Sequence, residues 1–300
     1  MNGKTRLLPA AAAVCGVAGL LVRRLYLARC FDPDTGLPVS GQPYGAILWA
    51  VALAALAAAI LPVRGKHRSF DGKYSSAFYA ARPFWFVLNA AGGALIALSG
   101  LLGLMAWAGS RTADPYGMAA GPTGASGIIR PVLGVVCLLA GAGICLTALK
   151  LRQKGEYSGV FVSLPGFAAC LWVMASYQDW AKDPVLGHYL FRLLAVLLAM
   201  AACYCAATFA YGKARVSLTL ALCLAAAALG IMVLGDGQPL YDVSLQLGLV
   251  LYLLAMAGCL LVNDGKPETP AAGCAPADCR TCPGCAPAPQ GKPGSDSDPA

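Results

Sequence analysis

The chain alternates between long unbroken apolar blocks and short polar connectors. The blocks consist mainly of Ala, Leu, Val and Gly, without the one-sided spacing of an amphipathic helix on a soluble protein. A hydrocarbon core about 30 Å thick is crossed by roughly 20 helical residues rising 1.5 Å each. Eight blocks are of about that length: 7–27, 44–62, 84–109, 131–149, 158–177, 186–211, 216–234 and 241–262. They predict an all-α fold, a polytopic transmembrane helix bundle over residues 1–262. Proline marks several boundaries. Pro62 precedes Arg64, Lys66 and Arg68, Pro83 precedes the third span, and Pro131 opens the fourth. Asp183-Pro184 offers an N-cap followed by proline in the first turn of the sixth.

Composition agrees with this reading. The chain is 58% hydrophobic and 12% charged, about half the charge of an ordinary globular domain. Its net charge of +8 raises the question of a nucleic-acid partner. Most of the excess lies in short connectors, however, and no basic helix is interleaved with aromatics. No nucleic-acid partner is expected; the expected partner is the lipid bilayer.

The same charges predict orientation. One set of connectors holds Lys4 and Arg6, then Arg64, Lys66, Arg68, Lys73 and Arg82, then Lys150, Arg152 and Lys154, then Lys213 and Arg215. The other holds Arg23, Arg24, Arg29, Arg111, Arg130 and Lys182, with nothing basic over 235–240. The richer set is expected in the cytoplasm, with both termini inside, in a bacterial cell membrane. Met1–Arg6 and the apolar run after it resemble a signal peptide. No small-x-small cleavage site follows, so the segment is expected to remain as the first span. A first span ending at Val22, with its arginines inside, would instead give seven spans and an external N-terminus; eight is the reading adopted.

Small residues are frequent within the spans: Gly16 and Gly19, Gly92 and Gly93, Gly100 and Gly103, Gly134, Gly141 and Gly143. In lipid, helices associate by close backbone approach, so these positions predict a tightly packed bundle. Asn89 and Gln246, polar within apolar runs, are expected to form interhelical hydrogen bonds.

Two places carry candidate chemistry. The first is the tail over 263–300, rich in Pro, Ala, Gly and Ser, and expected to be a disordered cytoplasmic segment. It contains Cys274, Cys279, Cys282 and Cys285 in a C-x4-C-x2-C-x2-C cluster. Four thiolates so close together suit Zn or another soft metal, a thiol–disulfide relay, or no ligand at all. The remaining cysteines lie in or beside apolar spans and are expected to fill space as small hydrophobes.

The second is Tyr177-Gln178-Asp179-Trp180-Ala181-Lys182-Asp183-Pro184, running into His188 and Arg192. His188 and Arg192 are i, i+4 neighbours on one helix face. Arg192 lies about 12 Å along that helix if it starts near Pro184. A charge so deep in lipid seeks a carboxylate or a wet cavity. Asp179 and Asp183 are the expected partners, making Asp179, Asp183, His188 and Arg192 a candidate polar pocket. The alternative has Arg192 snorkelling to the headgroups, with Tyr177, Trp180 and Tyr189 as interfacial anchors.

Several functions are excluded. With only two histidines, a pair of bis-His haems is impossible. There is no H-E-x-x-H, no G-x-S-x-G elbow and no Walker loop. Gly235-Asp236 and Tyr241-Asp242 resemble fragments of aspartyl intramembrane protease motifs but stand in the wrong order. No acid–base–nucleophile set can be assembled, so the chain is not expected to be an enzyme.

R-R-L-Y-L at 23–27, F-D-P-D-T-G-L-P at 31–38 and Y-Q-D-W-A-K-D-P at 177–184 resemble segments of uncharacterised polytopic membrane proteins of anaerobic bacteria. That resemblance implies membrane placement and no activity. Two functional classes follow from the residues. One is a small-solute transporter or solute-sensing bundle. The other is a non-catalytic membrane subunit or anchor whose Cys-rich tail binds metal or a membrane or cytoplasmic protein partner.

Overall fold

The computed structural model describes residues 7–32, 37, 39, 42–63, 74–80, 82–112, 125–153, 159–180 and 185–264. Every long apolar block has become a helix, because a chain removed from water must satisfy its backbone internally. The helices are α1 (Leu8–Arg29), α2 (Tyr44–Ile60), α3 (Tyr74–Phe78), α4 (Pro83–Thr112), α5 (Ala125–Arg152), α6 (Gly159–Trp180), α7 (Leu186–Thr208), α8 (Val216–Met232) and α9 (Leu240–Asn263). Short 3₁₀ turns extend α2 to Val63, α7 to Tyr211 and α8 to Gly235. Eight of these helices are long and apolar enough to cross a membrane, α3 being the exception. The described chain is an all-α polytopic bundle, without strands.

Neighbours along the chain pack in order from α4 to α9, and α9 returns to pack along α4, so six helices close into a ring. The α1–α2 pair docks on α8 outside that ring. Burial follows this arrangement. The most apolar window of α9 is 83% buried and that of α8 72%, against 22% for α1. The last two helices are therefore the inner wall and the first two the periphery. Large apolar side chains line the outside, among them Val14, Leu53, Phe84, Val87, Met105 and Phe167. Arg23, Gln246, Thr219 and Ser244 are buried within. Polar inside and greasy outside is the distribution a lipid solvent imposes.

The glycines act at specific crossings. A Cβ on Gly92 would come 2.8 Å from the Tyr252 amide nitrogen, and one on Gly100 would come 2.5 Å from the Gly134 carbonyl oxygen. A Cβ on Gly93 would meet the Gly141 carbonyl oxygen at 2.9 Å. Helix α4 is thus held backbone to backbone against α9 on one side and α5 on the other. One turn beyond Gly100 the helices diverge, and a Cβ on Gly103 would meet nothing within 4 Å.

Three local features differ from the sequence expectation. Pro131 does not open its helix: α5 starts at Ala125 and carries the proline inside. The missing N–H falls in the second turn, so the Gly127 carbonyl loses its i+4 donor. Arg130 consequently sits on a helix and not in a connector. Asp183-Pro184 lies outside the described residues, and the N-cap of α7 is Val185, which makes no side-chain cap. Helix α3 is an addition, a single buried turn between the second and third spans. Tyr74, Ala77 and Phe78 are buried there, and Phe78 packs on Phe209 with ring centroids 5.0 Å apart. Asn263 at the end of α9 donates from Nδ2 to the carbonyls of Ala77 and Tyr79, both at 2.9 Å.

Candidate functional site

Helices alternate in direction, so the C-terminal ends of α1, α4, α6 and α8 share one end of the bundle with the N-terminal ends of α5, α7 and α9. Two polar networks lie at that end, one buried and one half-buried.

The first is centred on Asp236, just past the C-terminus of α8. Arg23 of α1 grips its carboxylate with two donors, Nε to Oδ1 at 3.1 Å and Nη2 to Oδ2 at 3.2 Å. The same guanidinium donates to the carbonyl of Gly187 at 3.1 Å and to that of His188 at 2.7 Å, in the first turn of α7. Neither side chain sees solvent: Arg23 is 0% and Asp236 1% exposed. Phe191 and Tyr26 flank the guanidinium, with ring centroids 5.3 and 5.6 Å away. Arg192 completes the network. Its Nη2 donates to the Asp236 carbonyl at 3.0 Å, and its Nε lies 3.8 Å from Oδ2. Two cations at the C-terminus of α8 also suit the negative end of that helix. Gln238 donates to the Val233 carbonyl at 3.0 Å, which also accepts the Asp236 backbone N–H at 3.3 Å.

This changes the reading of the second sequence cluster. Arg192 does lie inside its helix, about 9 Å from the start at Leu186. Among the described residues its partner is Asp236, from the α8–α9 connector. Asp183 lies outside the described residues. Asp179 belongs to the last turn of α6, and its side chain is likewise outside the description. His188 joins the network through its backbone carbonyl. Its ring packs on Phe31, centroid to centroid 4.2 Å, and Phe31 in turn packs edge-on against Tyr26 at 5.3 Å. Cys274, Cys279, Cys282 and Cys285 also lie outside the described residues. Among the described residues no group of three His, Cys, Asp or Glu side chains is placed to hold a metal.

The second network surrounds a cavity of about 190 Å³ where α4, α5 and α9 separate beyond the glycine seam. Arg130 of α5 donates to the Tyr241 hydroxyl at 2.8 Å and lies over that ring at 5.3 Å. The next residue, Asp242, accepts a hydrogen bond from the indole of Trp172 on α6 at 3.0 Å. Arg130, Tyr241 and Asp242 all line the cavity, with Trp107, Leu133 and Leu245 among the remaining walls. Gly100, Gly103 and Gly134 contribute bare backbone. A carboxylate, a guanidinium, a phenol and an indole therefore converge on one small space between helices.

Sequence reasoning missed Arg23, Arg130, Asp236 and Asp242 as site residues. It counted the two arginines as connector charges and met the two aspartates only as failed protease motifs. One signal was present. The stretch 235–240 has no Lys or Arg, so carboxylates at its edges must find their cations on other helices.

No protein-family model, curated protein or solved structure matches the chain.

Proposed function

We propose that this multi-pass membrane protein is a small-solute transporter or solute-sensing bundle, with its binding site in the cavity between α4, α5 and α9. The observation that carries the reading is the convergence of Arg130, Tyr241 and Asp242 on one cavity beside bare helix backbone. Ionisable groups inside a transmembrane bundle are costly and mark solute pathways. Ligand sites in general combine a mostly apolar lining with a few convergent polar groups. Size restricts the ligand. An apolar cavity of about 150 Å³ accommodates benzene, so about 190 Å³ suits a solute of roughly eight non-hydrogen atoms. The Arg23–Asp236–Arg192 network, which shares the α8–α9 connector, holds that connector in register with α1 and α7.

Gly103→Leu tests the proposal. The added side chain enters open space at the cavity wall, so folding is retained while the site is filled. In protein reconstituted in nanodiscs and screened for thermal stabilisation by small polar solutes, wild type responds and Gly103→Leu does not. A response equal in both proteins places binding elsewhere and rejects this site.

For orientation we propose cytoplasmic termini in a bacterial cell membrane. Support comes from Lys150, Arg152, Lys213 and Arg215 at one end of the bundle. At the other end Arg23 and Arg192 lie inside their helices, bound to Asp236. A fluorescent reporter fused after Ala300 lights up if this is right, and an alkaline phosphatase at the same position stays inactive. The reverse pattern inverts the protein.

A further inference from the structure

We infer that the cavity takes an uncharged monocyclic aromatic compound with one small polar group, of about the size of benzyl alcohol. This rests on the small-solute reading and specifies its ligand. Charge, shape and size each point to it.

The charged groups of the wall are engaged with neighbouring helices. Arg130 of α5 donates to Tyr241 of α9 at 2.8 Å, and Asp242 of α9 accepts from Trp172 of α6 at 3.0 Å. These bonds tie three helices together around the cavity. The two side chains are of opposite sign, so the lining offers an ion no net counter-charge. A charged solute would give up its hydration on entry, a steep loss in a low-dielectric space. A neutral solute has no such loss to recover.

The rest of the wall suits a flat ring. Gly100, Gly103 and Gly134 contribute backbone without side chains, and a Cβ on Gly103 would meet nothing within 4 Å. Bare backbone lets a planar ligand lie close to the helix. Trp107 adds an aromatic side chain, and Leu133 and Leu245 add hydrocarbon, surfaces on which aromatic rings pack well. A single small polar group has a counterpart in Ser99, 5% exposed, whose hydroxyl can both donate and accept. A sugar or other polyol would leave most of its hydroxyls unpaired against this lining. On the benzene comparison above, the cavity of about 190 Å³ admits a benzene ring with a hydroxymethyl group. A peptide or nucleotide is too large.

The test measures saturable binding of radiolabelled benzyl alcohol to the full chain in nanodiscs, with protein-free nanodiscs giving the share dissolved in lipid. Three competitors each change one property. Benzylamine, protonated at neutral pH, adds a charge. Cyclohexylmethanol puckers the ring, and toluene lacks the hydroxyl. Benzyl alcohol should bind saturably, with benzylamine at least about a hundredfold weaker. Cyclohexylmethanol and toluene should each be about threefold to tenfold weaker. Gly103→Leu abolishes saturable binding, and Ser99→Ala brings benzyl alcohol to the affinity of toluene. Benzylamine competing as well as benzyl alcohol overturns the uncharged ligand. An equal affinity for cyclohexylmethanol overturns the aromatic ring, and one for toluene overturns the polar group. Each of these results, if sensitive to Gly103→Leu, leaves the small-solute pocket standing. Binding that survives Gly103→Leu, or no saturable binding at all, overturns the assignment of aromatic ligands to this cavity. The pocket itself then stands or falls with the solute screen described above.

Discussion

Replacing Asp236 with Ala should destabilise the protein more than any other single change in its polar network. The carboxylate is 1% exposed and Arg23 is 0% exposed. Truncation removes both donor–acceptor contacts between them, at 3.1 and 3.2 Å, and leaves Arg23 charged in a solvent-free position. Breaking a buried pair from one side costs about 3–5 kcal/mol. Two lost charge-assisted hydrogen bonds at about 1.5–3 kcal/mol each give the same range. At about 1.4 kcal/mol per decade, the unfolding equilibrium moves by roughly 150- to 5,000-fold. Arg192→Leu should cost less, about 1–3 kcal/mol, because that side chain is 15% exposed and its Nε is 3.8 Å from the carboxylate. The double variant Arg23→Met/Asp236→Leu should recover much of the loss, since an apolar pair of similar volume leaves no orphaned charge. Unfolding in mixed micelles by titration with dodecyl sulfate, followed by tryptophan fluorescence, gives these three values and those of the single variants Arg23→Met and Asp236→Leu. The reasoning is refuted if Asp236→Ala costs under about 1 kcal/mol. It is equally refuted if the single losses simply add in the double variant, because groups in direct contact should couple.

Two further changes probe the packing. Gly100→Ala should destabilise by about 1–3 kcal/mol, as overpacking does, because its Cβ would lie 2.5 Å from the Gly134 carbonyl oxygen. Gly103→Ala, one turn along the same helix, has open space and should be neutral or stabilising by up to about 1 kcal/mol. The same unfolding titration distinguishes them, and equal effects would contradict the seam. Asn263→Leu should leave the Ala77 and Tyr79 carbonyls without their 2.9 Å donors, at a cost of about 1–3 kcal/mol for each group left unsatisfied. Limited proteolysis of reconstituted protein should then cut faster near α3. An unchanged cleavage rate would mean that α3 is held by its aromatics alone.

The bundle was legible because membrane insertion writes itself into composition. A span needs only length and apolarity, and both are visible without knowing any partner. The ends were less legible. Pro131 looks like a start signal, yet α5 runs back to Ala125 and carries the proline in its second turn. Helix α3 was invisible for a different reason. Its single turn carries no period to detect, and its burial depends on Phe209 and Asn263, which are distant in sequence. The glycines were visible as a class, but their individual roles were not. Gly100 and Gly103 look alike in sequence, and only the path of α5 makes the first a contact and the second a cavity wall.

For the site, the difficulty was pairing. Arg23 and Asp236 are 213 residues apart, and Arg130 and Tyr241 are 111 apart, so no local motif joins them. Proximity in sequence points from Arg192 to Asp179 and Asp183, whose side chains lie outside the described residues. Topology offers a stronger constraint. Once eight spans alternate in direction, every ionisable residue is assigned to one end of the bundle. Arg23, Arg130, Arg192, Asp236 and Asp242 all fall at the same end, three cations with two carboxylates. In a medium where an uncompensated charge costs several kcal/mol, a charge held inside its helix is drawn to an opposite charge at the same end. Asp236 takes Arg23 and Arg192, while Asp242 and Arg130 share the cavity wall. The sequence thus held the members of both networks, and the alternation of its helices held the rule for grouping them. Which cation faces which carboxylate follows from which helix ends touch: α1 and α7 both meet the end of α8, and the start of α5 meets the start of α9.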